Sequence, residues 1–181
     1  MIDFSPKSTN DVVFSNPTSK MTIHNILNGK LPFPKNGIGE LLFYGVYGSS
    51  KTTYADIFCN EIEFIRVGPL GKPFFHKIDC GKETNFVKTI QSYEPSCNWA
   101  RITYSNLIYF IFDEVDNLKL EWQRSLKTFM NRQDIVCVLN TNHLNRVDDG
   151  VRDRYYEIDF NAANADDYLP RLRQLIAEHN L

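Results

Sequence analysis

A chain of 181 residues, 43% apolar and 23% charged, suits one soluble α/β domain with a sizeable core, or one domain and a fragment of a second. The net charge of −2 excludes a whole-chain basic signature, so any nucleic-acid contact has to use a local patch. Cys59, Cys80, Cys97 and Cys137 lie far apart with no C-x-x-C pair, which argues against a zinc site or a disulfide framework and for free thiols in a reducing compartment.

In chain order, residues 1–39 form a lead-in rich in Pro, Asn, Ser and Lys, with no basic-then-apolar leader at its start. Within it, Met21, Ile23, Ile26 and Leu27 predict a short helix from Ser19 to Asn28, stopped by Gly29. Leu31 to Gly37 reads as a linker into a first strand, Glu40 to Tyr44. Thr53 to Phe64 has helical spacing, a Gly/Pro break follows, and Phe74 to Asp79 reads as a second strand. A helix is expected over Lys82 to Ser92 and a loop over Tyr93 to Asn106. Leu107 to Phe112 and Asp134 to Asn140 are near-continuous apolar runs, as strands buried on both faces of a parallel sheet require. Leu118 to Met130 predicts a helix between them, Tyr155 to Phe160 a fifth strand, and Asp166 to His179 a last helix with Pro170 in its first turn. Strands alternating with helices give an α/β parallel sheet. No apolar run approaches membrane-spanning length, so the expected setting is the cytosol, or the nucleus if the host has one, with no membrane partner.

The chemistry centres on Gly45-Val46-Tyr47-Gly48-Ser49-Ser50-Lys51-Thr52-Thr53, a Gly-bearing loop between a strand and a helix. In such a loop, backbone N–H groups and the helix N-terminus cradle phosphates. Lys51 would reach the β- and γ-phosphates and the Thr52 hydroxyl would ligate Mg²⁺. The pattern G-x-x-x-x-G-K-[ST] asks for Gly before the Lys, and Ser50 stands there. Beside it, the third strand delivers Asp113-Glu114 to its C-terminal end, where α/β sheets bind ligands. Asp113 would hold the metal and Glu114 polarise an attacking water; alternatively the pair caps a helix. The fourth strand ends in Asn140-Thr141-Asn142, which offers an amide to a γ-phosphate or simply a turn. Arg152 and Arg154 precede the fifth strand, as an arginine finger for a neighbouring subunit or as partners of Asp148, Asp149 or Asp153.

These blocks resemble the AAA+ ATPases, and within them the clamp-loader clade of replication factor C small subunits. Ser5 to Val13 resembles the family's "RPKTLDDVV", whose Val pair borders the adenine, so Val12 and Val13 are implied at the base. Leu42 to Thr52 is similar to "LLFYGPPGTGKT", and Asp113-Glu114-Val115-Asp116 to the "DEAD" of Walker B. The spacing from Asn142 to Arg154 matches that from sensor 1 to the "SRC" triplet, which implies Asn142 as sensor 1 and Arg154 as the trans-acting finger. Three departures stand out: Ser50, the Asp153 and Tyr155 that flank Arg154, and an end at Leu181 after what would be the first lid helix.

The resemblance thus implies a five-stranded P-loop core over 40–160, a lead-in over 1–39 and a reduced lid over 161–181. It implies ATP and Mg²⁺ as ligands and self-association with the ATP site at the subunit interface. DNA or a replication protein is the implied client, touched by Lys82 and Lys88, which read equally as a solvated face. A scaffold with weak hydrolysis, or a viral or plasmid replication motor, are the competing readings.

Overall fold

Strands that are apolar on both faces need cover on both sides, and the chain supplies it. The computed structural model describes residues 5–33, 39–98 and 103–179. Its strands β1 (Gly39–Tyr44), β2 (Phe75–Asp79), β3 (Ile108–Asp113), β4 (Ile135–Thr141) and β5 (Tyr156–Asp159) form one sheet in the order β2-β3-β4-β1-β5. Every pairing is parallel. The helices are α1 (Pro17–Leu27), α2 (Lys51–Val67), α3 (Phe86–Cys97), α4 (Leu120–Met130), the short α5 (Asp149–Arg152) and α6 (Ala165–His179).

Alternation along each strand divides the core in two. Leu41 and Phe43 of β1, Tyr109 and Ile111 of β3, and Val136 and Val138 of β4 pack with Tyr54, Phe58 and Ile62 of α2 and Ile23 of α1. Leu42, Phe110, Phe112, Cys137 and Leu139 turn the other way, onto Phe86 of α3 and Leu126, Phe129 and Met130 of α4. Phe110 sits at the centre of that second layer, with rings of Phe129 at 4.9 Å and His76 at 5.0 Å. Burying each such side chain contributes about 1.5–3 kcal/mol. The two layers fix the sheet between helices, so its C-terminal edge is a rigid platform.

Several boundaries differ from expectation, each for a local reason. Helix α1 starts at Pro17 because the Asn16 side chain caps the Thr18 and Ser19 N–H groups. Helix α2 starts at Lys51, directly from the loop. Helix α3 starts at Phe86 rather than Lys82, because Asp79 accepts from the Gly81 N–H and closes a 3₁₀ turn over Cys80–Lys82. Asn85 then caps α3 through the Lys88 N–H. The helix runs on through Pro95 to Cys97, where a loop was expected; residues 99–102 of that loop, like 34–38 of the linker, lie outside the described residues. Helix α4 starts at Leu120, after a 3₁₀ turn over Val115–Asn117. In α6 Pro170 stands beyond the first turn, in a helix whose start is held by the Asp167 carboxylate accepting from the Asn164 N–H. All four cysteines are buried and unpaired with one another. Among the described residues no helix is long and apolar enough to cross a membrane.

Candidate functional site

The loop between β1 and α2 is shaped by three residues. Gly45 ends β1 at φ 152°, and a Cβ there would meet the Phe160 carbonyl carbon at 2.6 Å and the Asn161 nitrogen at 2.8 Å. The end of β5 thus presses on the loop, and the Asn161 Oδ1 accepts from the Val46 N–H at 3.2 Å. Gly48 takes φ 74° in open space. Ser50 takes φ 65° and ψ 20°, the left-handed conformation that only Gly adopts without cost. The requirement for Gly before the Lys is therefore conformational here, and Ser meets it under strain. Ser50 makes no side-chain cap, so the first N–H groups of the 17-residue α2 stay available.

Lys51 is buried, and its Nζ donates to the carbonyls of Gly45 (2.8 Å) and Val46 (2.9 Å) and to Ser49 Oγ (3.1 Å). Burial pushes its ammonium below the ordinary value, while Asp113 and Asp116 pull it back up. The Thr52 hydroxyl donates to Asp113 Oδ2 at 2.7 Å, joining the start of α2 to the end of β3. Asp113 Oδ1 accepts from the Glu114 N–H at 3.1 Å. Glu114 is itself left-handed (φ 56°), which sends its carboxylate over Gly81, where Oε2 accepts from the Asn117 amide at 2.9 Å. Asp116 Oδ1 accepts from Thr141 Oγ1 (2.8 Å) and the Asn142 N–H (3.3 Å), tying β4's end to the acidic turn. Lys51, Thr52, Asp113, Glu114 and Asn142 therefore converge at one sheet edge. Tyr47, exposed in the loop, places its ring 6.1 Å from His143. Val46 and Thr53 are exposed on either side of the turn.

Val12 and Val13 border a cavity of about 240 Å³ shared with Ser49, Ser50, Tyr54 and Phe160, next to the loop. Its far wall is α6, through Tyr168 and Arg171, which sequence reasoning missed. Arg171 forms an ion pair with Asp11 at 2.7 Å, angled away from a hydrogen bond, and both side chains are nearly buried. Burial pushes the Asp11 carboxyl up. The Lys7 and Ser8 N–H groups, the Ser8 hydroxyl and the Arg171 guanidinium outweigh that and hold it below its usual value.

The two arginines before β5 separate cleanly. Arg152 is bound to Glu157 at 2.8 Å and faces Asp149 at 3.6 Å. Arg154 is exposed, and among the described residues it donates to uncharged acceptors, Asn131 Oδ1 at 2.6 Å and the Lys127 carbonyl at 3.3 Å, at the end of α4. Asp148 is taken by Lys127 and Arg124 instead. Arg154 thus stands apart from the loop of its own chain.

The donor set fits Mg²⁺ with a phosphorylated ligand. One hydroxyl and one carboxylate are hard oxygen donors, and Mg²⁺ commonly takes one or two carboxylates plus phosphate oxygens. Among the described residues no cluster of three or more His, Cys, Asp or Glu could hold a metal by itself.

No family model matches the sequence, and no curated protein matches it closely. Solved structures do resemble it in fold. The crystal structure of the FIGL-1 AAA domain in complex with ADP aligns at TM-score 0.59 and 16% identity, over 92% of this chain and 60% of that one. The structure of C. elegans PCH-2 aligns at TM-score 0.61 and 13% identity, over 93% of this chain and 49% of that one. The chain therefore spans less than two thirds of either neighbour. What they share with it is the fold, which in this chain is a parallel five-stranded sheet flanked by helices.

Proposed function

We propose that the chain is a Mg²⁺-dependent ATPase that assembles with copies of itself around bound nucleotide. The observation that carries this reading is the Thr52–Asp113 bond at 2.7 Å, which joins the start of α2 to the acidic end of β3 beneath an uncapped helix N-terminus. Lys51 would exchange the loop carbonyls for β- and γ-phosphate oxygens. Mg²⁺, held by Thr52, Asp113 and phosphate oxygens, would neutralise charge on the phosphoryl group in transfer. Glu114 would polarise the attacking water, Asn142 would contact the γ-phosphate, and Val12 and Val13 would border the adenine. Arg154 would serve the nucleotide of a neighbouring copy. The test is ATP binding and turnover with Mg²⁺ or with EDTA. Metal-dependent binding and turnover are expected, and a chain that neither binds nor hydrolyses ATP sinks the reading.

Within this reading the sequence blocks favour a clamp-loader-like role on DNA or a replication protein. Lys88, exposed in the first turn of α3, is the cation available for it, since Lys82 lies outside α3 and pairs with Asp79 at 2.5 Å. Turnover stimulated by DNA, with stimulation falling as salt rises, would support that role. Turnover indifferent to DNA would assign the ATPase another client.

Two contacts favour a slow, ATP-holding version over a fast hydrolase: Ser50 is strained, and Asn117 holds the Glu114 carboxylate. Ser50→Gly weighs one of them. A left-handed non-Gly residue costs about 1–2 kcal/mol, and the added chain entropy of Gly costs about 0.5–1. The conformational gain matches or exceeds that cost, so Ser50→Gly should raise stability by up to about 1.5 kcal/mol in urea melts and tighten ADP binding. A variant that is less stable and binds no better would show that Ser50 is no handicap.

A further inference from the structure

One residue in the sheet has no structural reason to be polar. Asn140 of β4 is 0% exposed, and neither its Oδ1 nor its Nδ2 has a hydrogen-bond partner. Buried amides are almost always satisfied, because water bonds given up on folding must be replaced. Val136 and Val138, on the same face of the same strand, show what the core accepts there. An aliphatic residue would pack at position 140 without leaving a donor and an acceptor stranded.

Its position explains what the amide is near. Asn140 pairs with Phe43 of β1, which faces α2. On its other side Leu139 pairs with Phe112 of β3, so parallel register sets Asn140 beside Asp113, one step further along. Alternation turns both residues to the α2 face, where Thr52 meets Asp113. Both Asp113 oxygens already have donors, Thr52 Oγ1 on Oδ2 and the Glu114 N–H on Oδ1. The Lys51 ammonium is likewise turned onto the loop carbonyls of Gly45 and Val46. The Asn140 amide is left out of this polar network.

We infer that Asn140 is a positioning residue of the phosphate–metal site, resting on the reading above: its amide gains a partner only when the site is loaded. With Mg²⁺ held by Thr52 and Asp113, the Asn140 Nδ2–H₂ would donate to the Asp113 carboxylate and hold its orientation. Metal-binding carboxylates are held by such outer partners, and losing one typically weakens metal affinity about tenfold or more. The unpaired amide is the cost of having that donor ready.

The experiment compares Asn140→Val with Asn140→Thr, which match in shape and differ by a hydroxyl donor. Thermal unfolding is followed without nucleotide, and binding of fluorescent ADP is titrated against Mg²⁺. Asn140→Val should unfold at or above the wild-type temperature, yet need roughly tenfold more Mg²⁺ for half-maximal ADP binding. Asn140→Thr should restore most of the metal requirement. A valine variant that is less stable when empty, fails to fold, or needs no more Mg²⁺ than wild type overturns the inference. If wild-type protein binds no ADP at all, the nucleotide reading itself falls; if it binds and the variants match it, only the role of Asn140 falls.

Discussion

Arg154→Ala is expected to lower ATP turnover by roughly 10³-fold while leaving nucleotide binding nearly unchanged, the outcome of a guanidinium that acts on a neighbour's site. The choice of Arg154 over Arg152 rests on charge. Arg152 is neutralised by Glu157 at 2.8 Å and Asp149 at 3.6 Å, so it presents little net field to a partner. Arg154 is exposed and held by Asn131 Oδ1 and one carbonyl, so its full positive charge faces outward. Releasing it costs two charge-assisted hydrogen bonds to uncharged acceptors, about 1.5–3 kcal/mol each, which the roughly 10³–10⁵-fold stabilisation of transition-state charge by an arginine finger has to exceed. The trans geometry has its own signature. Arg154→Ala subunits keep an intact nucleotide site, and Lys51→Ala subunits keep an intact arginine. Mixing the two inactive proteins should therefore recover part of the turnover. Unchanged activity in Arg154→Ala, or a larger loss in Arg152→Ala, would overturn the assignment.

Glu114→Gln should cut turnover by roughly 10²–10⁴-fold and preserve nucleotide binding, the behaviour of a lost general base. The substitution is structurally mild, since a Gln side-chain oxygen can still accept the Asn117 amide that now bonds Oε2 at 2.9 Å. What it loses is the capacity to take a proton. The carboxylate lies so close to Gly81 that a Cβ there would stand 2.7 Å from Oε2, so the glycine in the 3₁₀ turn after β2 is what leaves it room. If Glu114→Gln turns over ATP at the wild-type rate, Glu114 serves only to start the turn after β3.

The centre of the sheet was legible because β3 and β4 carry near-continuous apolar runs. Ile108–Asp113 and Ile135–Thr141 lie within one residue of expectation at each end, since continuous apolarity has few other solutions. The loop and the acidic strand end were legible because phosphate chemistry constrains residue types and spacing. What stayed hidden depends on geometry. The helix expected from Lys82 begins at Phe86, because nothing local announces that Asp79 closes a separate turn before Asn85 caps it. It runs into the expected loop because Pro95 falls in the last turn before Cys97, where few further amide bonds depend on it. The left-handed turns at Ser50 and Glu114 leave no trace in residue type. Asn140 and Asn142 read alike in sequence; only burial shows that one is enclosed in the sheet and the other lies at its rim.

The Asp11–Arg171 pair joins the lead-in to α6 along the wall of the cavity beside the loop. For a base seated there, that pair would tie two walls of the cavity together, remote from the phosphates. Both side chains are nearly buried, so salt would screen the pair little, and its Asp11 partner is neutralised only in acid. Release of such a base would then quicken in acid rather than with ionic strength, so the cycle time of the molecule would become sensitive to pH.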